Sequence, residues 1–539
     1  MWLFQPALAL SLDCPSARGT TSIRTKRKRM GNCPSAGNGI ALGNNSSRDA
    51  VTEVKATMKK IISQNIAPGV SYGIVDSALS SSHSNSILFS DTVGFTDAVV
   101  PSSLSSPTDT TICDDGENEK SKSATTTDTL FMAYSITKTI TSILVLQLAQ
   151  RNLLHLDDSV SQHLPSGLLQ QLPSRHYLNT HGTEITIRML LNHTSGVPNP
   201  LPLDWFFVAD DRHAGSEGTG AEDDSCHSHS LLNLNEKRQE AFYNVMQHSP
   251  NLQFTPGSDH LYSNVGYWLL EKVIEHVSSG KSYEDVYYKQ IALPLGLGSS
   301  KENDNDGCCP TKIAFEIPSG ARYNHHGTNS EKEQQKVGMD AVVLARGHSP
   351  RFSLKTFIFY LLTPKKYWSP LNTYRWSGFR HLIPHGLGYG GMYASVQGLL
   401  VILNDLLTGM RTDVMLSADH PANENDAIDR ECGVLLSLES KKQMFGLFDG
   451  DDSDDDTTPL GWSKGTISIG DEKEHYLAKP GGGLGFHGNI RIYPRLGIAT
   501  VFLCNGTCVS AEPINAWSDR LDVPFLVEKK ARLQLQREG

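Results

Sequence analysis

Short segments with a strand-like period stand near both ends of this chain, and a long helical stretch separates them. In "APGVSYGIVD" the residues Val70, Tyr72 and Ile74 alternate with small or polar neighbours, the period of a strand. Residues 87–97 read as its partner. Near the other end, 473–479, 489–493 and 498–503 read as three adjacent strands, with Gly or Pro in the turns between them. Residues 51–66 have a helical period, and 517–532 predict a closing helix. From 128 to about 296 the sequence reads mostly helical. Strands this far apart in the chain predict one sheet assembled from both termini. The expected fold is α/β: an antiparallel sheet from both chain ends, flanked by helices, with a mostly helical inserted region over about 140–300.

Three polar tracts interrupt this unit. Residues 101–127 are rich in Ser, Thr and Asp, 209–231 divide the helical region, and 424–456 contain "DGDDSDDD". Each reads as a low-complexity loop. The acidic run reads as solvated, because its spacing matches no calcium-binding loop. The expected organisation is a disordered or targeting tail over 1–50 and one folded unit over 51–530, without internal repeats.

Composition narrows the function. The net charge is −10 and no basic patch with interleaved aromatics is present, which points away from nucleic acid. No apolar run is long enough to span a bilayer. The nine cysteines are odd in number and form no CxxC pair, so neither a disulfide framework nor a zinc site is expected. No metal and no organic cofactor is expected. The tail admits four readings. Residues 2–12 are apolar but no positive charge precedes them, which is poor for a secretory signal. Residues 14–29 are rich in Arg, Ser and Thr and nearly free of acid, as in an organelle transit peptide. A start at Met30 would present Gly31 for myristoylation, with Cys33 as a second acylation site. The fourth reading, a plain disordered tail, is adopted. The expectation is a soluble chain, cytoplasmic or organellar, with acylated membrane association if translation starts at Met30. The sequence leaves the oligomeric state open.

Three motifs carry chemistry. In "FMAYSITKTITSILVLQL" Ser135 and Lys138 are three residues apart, one helical turn, ahead of an apolar stretch. A serine oxygen is a weak nucleophile until a neighbour takes its proton, and Lys138 is placed to do so. In "FTPGSDHLYSNVGYWLL" Tyr262 offers a phenol as proton carrier and Asn264 an amide, on a loop before a buried helix. In "YLAKPGGGLGFHGNIRIYP" Lys479 ends a predicted strand and begins a glycine run, where Gly481 and Gly482 let a substrate come close. A lysine there would set the potential at the serine and lower the pKa of the tyrosine. Each pattern has a decoy: Ser278 with Lys281, Tyr177 with Asn179, and Lys336 with Gly338. The first reads as a helix cap, and the last lies in charged sequence without a strand.

In their order Ser135, Tyr262, Lys479, these motifs resemble those of the serine beta-lactamase-related, penicillin-binding-protein-like hydrolases. The similarity is strongest to the class C beta-lactamase, DD-peptidase and esterase branch. "TTTDTLFMAYSITKTITSILVLQLAQRNLLHLDDSV", "ITIRMLLNHTSGVP" and "GLGYGGMYASVQGLLVILNDLL" resemble further segments of that family. Together they cover most of 51–298 and 386–508. The order of segments also sets Tyr177 aside, because it precedes "LLNHTSG" and Tyr262 follows it.

The resemblance implies a beta-lactamase/transpeptidase-like fold and a serine hydrolase. Ser135 would form an acyl-enzyme, Lys138 and Tyr262 would share the proton traffic, and Lys479 would support Tyr262. Asn264 would bind the acyl side chain, and the amides of Ser135 and Gly482 would form the oxyanion hole. One position departs: Pro480 stands where many members carry a hydroxyl that binds a substrate carboxylate. That points away from penicillin and D-alanyl peptides and toward an ester or amide with a neutral acyl group. Proline also fits a strand only at an edge or bulge, so this strand is expected at an edge. Pro480 and the large insertions leave a second reading open, a catalytically weak or inactive scaffold on the same fold. His487 reads as a satisfied strand histidine, His193 as a turn residue, and Asp157 and Asp158 as loop or capping residues.

Overall fold

The computed structural model describes residues 46–77, 86–97, 124–171, 183–199, 203–209, 225–248, 251–297, 312–315, 343–351, 361, 363–372, 375–410, 433–446, 458–507 and 514–538. The tail over 1–45, with Gly31 and Cys33, the decoys Tyr177 and Lys336 and the acidic run over 449–456 lie outside them.

A six-stranded antiparallel sheet joins the two ends of the chain. β1 (Gly69–Asp76) and β2 (Ile87–Gly94) come from the N-terminal end. β3 (Ser463–Ile469), β4 (Glu472–Gly483), β5 (Phe486–Tyr493) and β6 (Ile498–Cys504) come from the other. The order is β3-β4-β5-β6-β1-β2. The two groups meet where β1 pairs with β6, with Val70 opposite Cys504 and Asp76 opposite Ile498. β3 has no counterpart among the expected strands. It alternates exposed and buried positions at the sheet edge, and too few of its side chains are apolar to give a strong period.

The sheet is covered on both faces, so β1 is buried throughout. Val70, Tyr72 and Ile74 face helix α1 (Ser46–Ser63) and the closing helix, in a core that includes Val54, Met58, Trp517 and Leu521. Val75 faces the larger core with α2 (Thr137–Gln150), α3 (Asn264–Val277) and α4 (Val396–Leu407). Gly73 keeps that side flat: a Cβ there would stand 2.6 Å from Leu400 of α4. The closing helix, α5, runs Ile514–Glu538. α2 is the central helix, buried from Thr137 to Leu148. Among the described residues no helix is long and apolar enough to cross a membrane.

Three expectations need correction. α1 begins at Ser46, inside the expected tail, and Ala50 is buried. The helix Ser225–His248 begins inside the tract 209–231; its first turns are Ser and His, which give no apolar period. A helix also runs Leu438–Phe445 inside the tract 424–456. Its caps were the legible signal. Ser437 Oγ accepts from the Ser440 N–H, and Gly446 ends the helix at φ +63°.

Candidate active site

The chain enters α2 through a strained turn. Tyr134 has φ +46°, a left-handed conformation that an aromatic residue holds only when its surroundings impose it. Its hydroxyl donates to the Leu484 carbonyl at 3.0 Å, and Thr137 Oγ1 donates to the Tyr134 carbonyl at 2.6 Å. Ser135 follows within a 3₁₀ turn (Tyr134–Ile136) that precedes the helix, and its N–H has no acceptor among the described residues. Lys138 is the second residue of α2, close enough in turn to reach back to Ser135.

The glycine run of β4 lies against this turn. A Cβ at Gly481 would stand 2.1 Å from the Ala133 carbonyl oxygen, and one at Gly483 would stand 2.5 Å from the Tyr134 ring. Only glycine permits that approach. Gly482 stands opposite His487 on β5. Pro480 stands at an edge, as expected, although the strand as a whole is not an edge strand. β4 is flanked by β3 as far as Ala478 and only by β5 beyond it, where Pro480 opposes Asn489. The strand is internal in its first half and an edge in its second, which is where a residue without an N–H is tolerated.

The loop that carries Tyr262 is held by His193. The His193 carbonyl accepts the Leu261 N–H at 2.9 Å, and its Nδ1 accepts the Ser263 N–H at 3.2 Å. Its ring packs 4.6 Å from that of Tyr262. Ser263 Oγ then caps α3 by accepting the Gly266 N–H at 3.0 Å. Reading His193 as a turn residue was incomplete. The turn itself, at φ +64°, aims the ring at the tyrosine.

These pieces bring four predicted residues into direct contact. Ser135 Oγ and Tyr262 Oη share a hydrogen bond of 2.5 Å. Lys138 Nζ lies 3.3 Å from Ser135 Oγ and donates to Asn264 Oδ1 at 2.8 Å and to the Tyr389 carbonyl at 2.6 Å. The Tyr389 contribution is absent from the sequence reading; its only trace is the "GLGYGG" turn. Lys479 Nζ stands 5.6 Å from the Tyr262 ring centroid and 6.0 Å from that of Tyr267.

Both lysines are buried, and no carboxylate pairs with either among the described residues. Burial, and next the charge of Lys479, hold the Lys138 ammonium well below the usual lysine range. Burial pulls Lys479 down to about 7. The tyrosine moves the other way from expectation. Burial pushes the Tyr262 phenol up, and its bond to Ser135 offsets that only in part. Removal from water outweighs a lysine that is itself only partly charged near neutral pH. Burial, then Lys479 and Lys138, also keep His193 neutral by holding it well below its usual range.

A small cleft, partly open to solvent, lies against Tyr262 and Lys479. His193, Trp462, Ser463 and Pro480 also line it, and Ser135 does not. The remaining residues keep structural places. Ser278 follows the end of α3, with Gly280 at φ +74° behind it. Asp157 accepts two hydrogen bonds from Arg188, and Asp158 accepts from the His155 N–H. His487 Nδ1 lies 3.2 Å from the Gly506 carbonyl.

Comparison with known proteins bears on the whole arrangement. The family model described as Beta-lactamase matches residues 110–517. Penicillin-binding protein 4* of Bacillus subtilis is 30% identical over 175 residues, 32% of this chain and 31% of that protein. The D-alanyl-D-alanine-carboxypeptidase/endopeptidase AmpH of Escherichia coli is 26% identical over 225 residues, 40% of this chain and 50% of its own. These matches thus span half or less of the relatives' lengths. The solved structure of D-amino acid amidase from Ochrobactrum anthropi shares the fold. It has a TM-score of 0.53 at 16% identity and covers 88% of this chain and 99% of its own. With most of its folded length matched by the family model, the chain belongs to the beta-lactamase family, a family of serine hydrolases.

Proposed function

We propose that this chain forms an acyl-enzyme on Ser135 and hydrolyses an ester or amide. The observation that carries this reading is the set of partners around Lys138. A neutral amine has two N–H donors and one lone pair. Asn264 Oδ1 and the Tyr389 carbonyl, at 2.8 and 2.6 Å, accept both donors. The lone pair is left for the Ser135 hydroxyl at 3.3 Å. A buried lysine shifted toward its neutral form is a base aimed at the serine.

In the first step Ser135 Oγ attacks the substrate carbonyl carbon and its proton passes to Lys138. The tetrahedral oxyanion is held by the Ser135 N–H and, with it, the Gly482 N–H. Each such donor is worth roughly 10²–10³ in turnover. The carbon–heteroatom bond then breaks, and Tyr262 delivers a proton to the departing oxygen or nitrogen while Lys138 returns the proton to the phenol. Lys479, when protonated, supplies positive potential beside Tyr262. Asn264 gives its oxygen to Lys138 and so keeps its two N–H donors for the acyl chain. Water attacks the acyl-enzyme by the reverse proton path and releases the acid.

A fluorophosphonate probe tests the assignment. Wild-type protein should be labelled on Ser135 and the Ser135→Ala variant should not. Equal labelling of both would remove Ser135 as the nucleophile. No labelling of either, with no turnover of p-nitrophenyl esters, would leave the chain as an inactive scaffold on the same fold.

A further inference from the structure

Glu271 is a buried carboxylate that the mechanism above does not use. It stands in the middle of α3 and is 3% exposed. One oxygen accepts the Gly388 N–H at 2.8 Å, and the other lies 3.4 Å from the Lys272 ammonium. Burial pushes this carboxyl up from its usual range, and Lys272 offsets part of that. Such a group is costly to bury unless its oxygens are bonded, so what it bonds is informative. Gly388 belongs to the short helical turn Leu387–Gly390. Its carbonyl accepts the Thr141 hydroxyl of α2 at 2.6 Å, and Tyr283 Oη lies 2.8 Å from Thr141 Oγ1. The glycine is also pressed onto α3: a Cβ there would stand 3.1 Å from the Glu271 Cβ and 3.1 Å from the Tyr267 carbonyl oxygen.

The next residue is Tyr389, whose carbonyl accepts from Lys138 at 2.6 Å. Peptide units are planar, so once both peptides of Gly388 are fixed, two backbone dihedrals separate them from that carbonyl. The far side of the turn is held as well, because Thr137 Oγ1 accepts the Met392 N–H at 3.1 Å. We propose that Glu271, together with Thr141, is a positioning residue for acyl transfer: by fixing Gly388 from both sides the pair aims the Tyr389 carbonyl at Lys138 and so turns the amine lone pair toward Ser135. The proposal rests on the acyl-transfer reading. Neither residue meets substrate or the reacting atoms. The role calls for an acceptor oxygen at Glu271, with or without its charge.

The test is the acylation rate of a p-nitrophenyl ester. Glu271→Leu should lower it by roughly ten- to a hundredfold, the effect of an ångström-scale misplacement, with KM little changed. Glu271→Gln keeps an acceptor oxygen for Gly388 and should stay close to wild type. The Lys138→Met background separates positioning from general damage. There Glu271→Leu should cost little more, because its effect passes through the amine. An undiminished loss on that background, or a Glu271→Gln protein as slow as Glu271→Leu, would overturn the proposal. If Glu271→Leu fails to fold, Thr141→Val frees the other side of Gly388 with almost the same shape, and Thr141→Ser is its conservative partner in the same comparisons. If wild type acylates nothing, the acyl-transfer reading has failed, and the positioning is then read on the amine itself, from the Lys138 Cε–H resonance followed with pH. A carbonyl acceptor favours the ammonium, so its loss should lower the titration midpoint in Glu271→Leu and leave it in place in Glu271→Gln. The other titratable groups around Lys138 (His193, Tyr262, Tyr267, Tyr389 and Lys479) are the same in all three proteins. Equal midpoints in wild type and Glu271→Leu would sink the proposal.

Discussion

On the face of the sheet that carries α1 and α5, Arg491 is fully buried and bonds Asp519 at 2.7 Å and Asp522 at 3.2 Å. Tyr72 and Tyr493 add hydrogen bonds to Asp522 at 2.9 and 2.6 Å, and the guanidinium stacks 4.3 Å from the Tyr476 ring centroid. On the other face Lys138 and Lys479 are also buried, with carbonyl oxygens, hydroxyls and rings around them and no carboxylate among the described residues. The difference decides what each cation can do. Carboxylates hold the arginine charged, and its proton never leaves. Without a counter-charge, desolvation dominates the lysines and both are pulled toward neutrality. One cluster is a fastening between the sheet and its terminal helices, and the other, on the mechanism proposed above, is a reservoir of mobile protons.

Removing a cation from each side should therefore give opposite results. Lys138→Met takes away the base, and acylation followed by stopped-flow with a p-nitrophenyl ester should fall by roughly 10²–10⁴. The same change removes a desolvated amine, so the melting temperature should hold or rise. Arg491→Met leaves Asp522 buried without its cation. It should lower unfolding stability by about 3–5 kcal/mol in denaturant titration, with acylation per folded molecule little altered. A large stability loss in the first variant, or a large rate loss at full folding in the second, would break the contrast.

This contrast also marks what could be read from the chain. Ser135, Lys138, Tyr262, Asn264 and Lys479, which the fold brings near one another, are legible as candidates because the proposed acyl transfer calls for those side-chain types. The states of the lysines are not legible, because a pKa depends on what surrounds the group after folding. Tyr389 is invisible for a different reason: any residue can supply a carbonyl, so its role leaves no mark on residue type. The left-handed Tyr134 runs against the usual preference for glycine, and only Gly481 and Gly483 hint that something presses on that turn. The sheet drawn from both ends was readable from strand period. The helix Leu438–Phe445 was hidden by the acidic run beside it, although Ser437 and Gly446 mark its ends.

The proton reservoir has a pH signature, smaller than the loss of the base. Lys138 must be neutral to accept a proton, and burial shifts it toward that form. Lys479 must be charged to act on Tyr262, and burial sets its pKa at about 7. kcat/KM should then decline as pH rises through about 7, because the cation at Lys479 is lost. In Lys479→Arg the guanidinium stays protonated, so that alkaline decline should disappear from this range, at some cost in rate from the bulkier group. A decline that persists unchanged in the variant would assign the titration to another group and remove Lys479 from the reservoir.

The smallest expected effect tests whether sequence pattern alone confers the chemistry. Ser278 and Lys281 repeat the spacing of Ser135 and Lys138, yet Ser278 stands just past the end of α3, its N–H bonded to the Ile274 carbonyl. Among the described residues no phenol or buried amine meets its hydroxyl, and Lys281 is exposed. Ser278→Ala should leave ester turnover unchanged and move unfolding stability by no more than about 0.5 kcal/mol. A measurable loss of turnover would mean that the i, i+3 pair matters without the burial that distinguishes Lys138, and the argument from desolvation would fall with it.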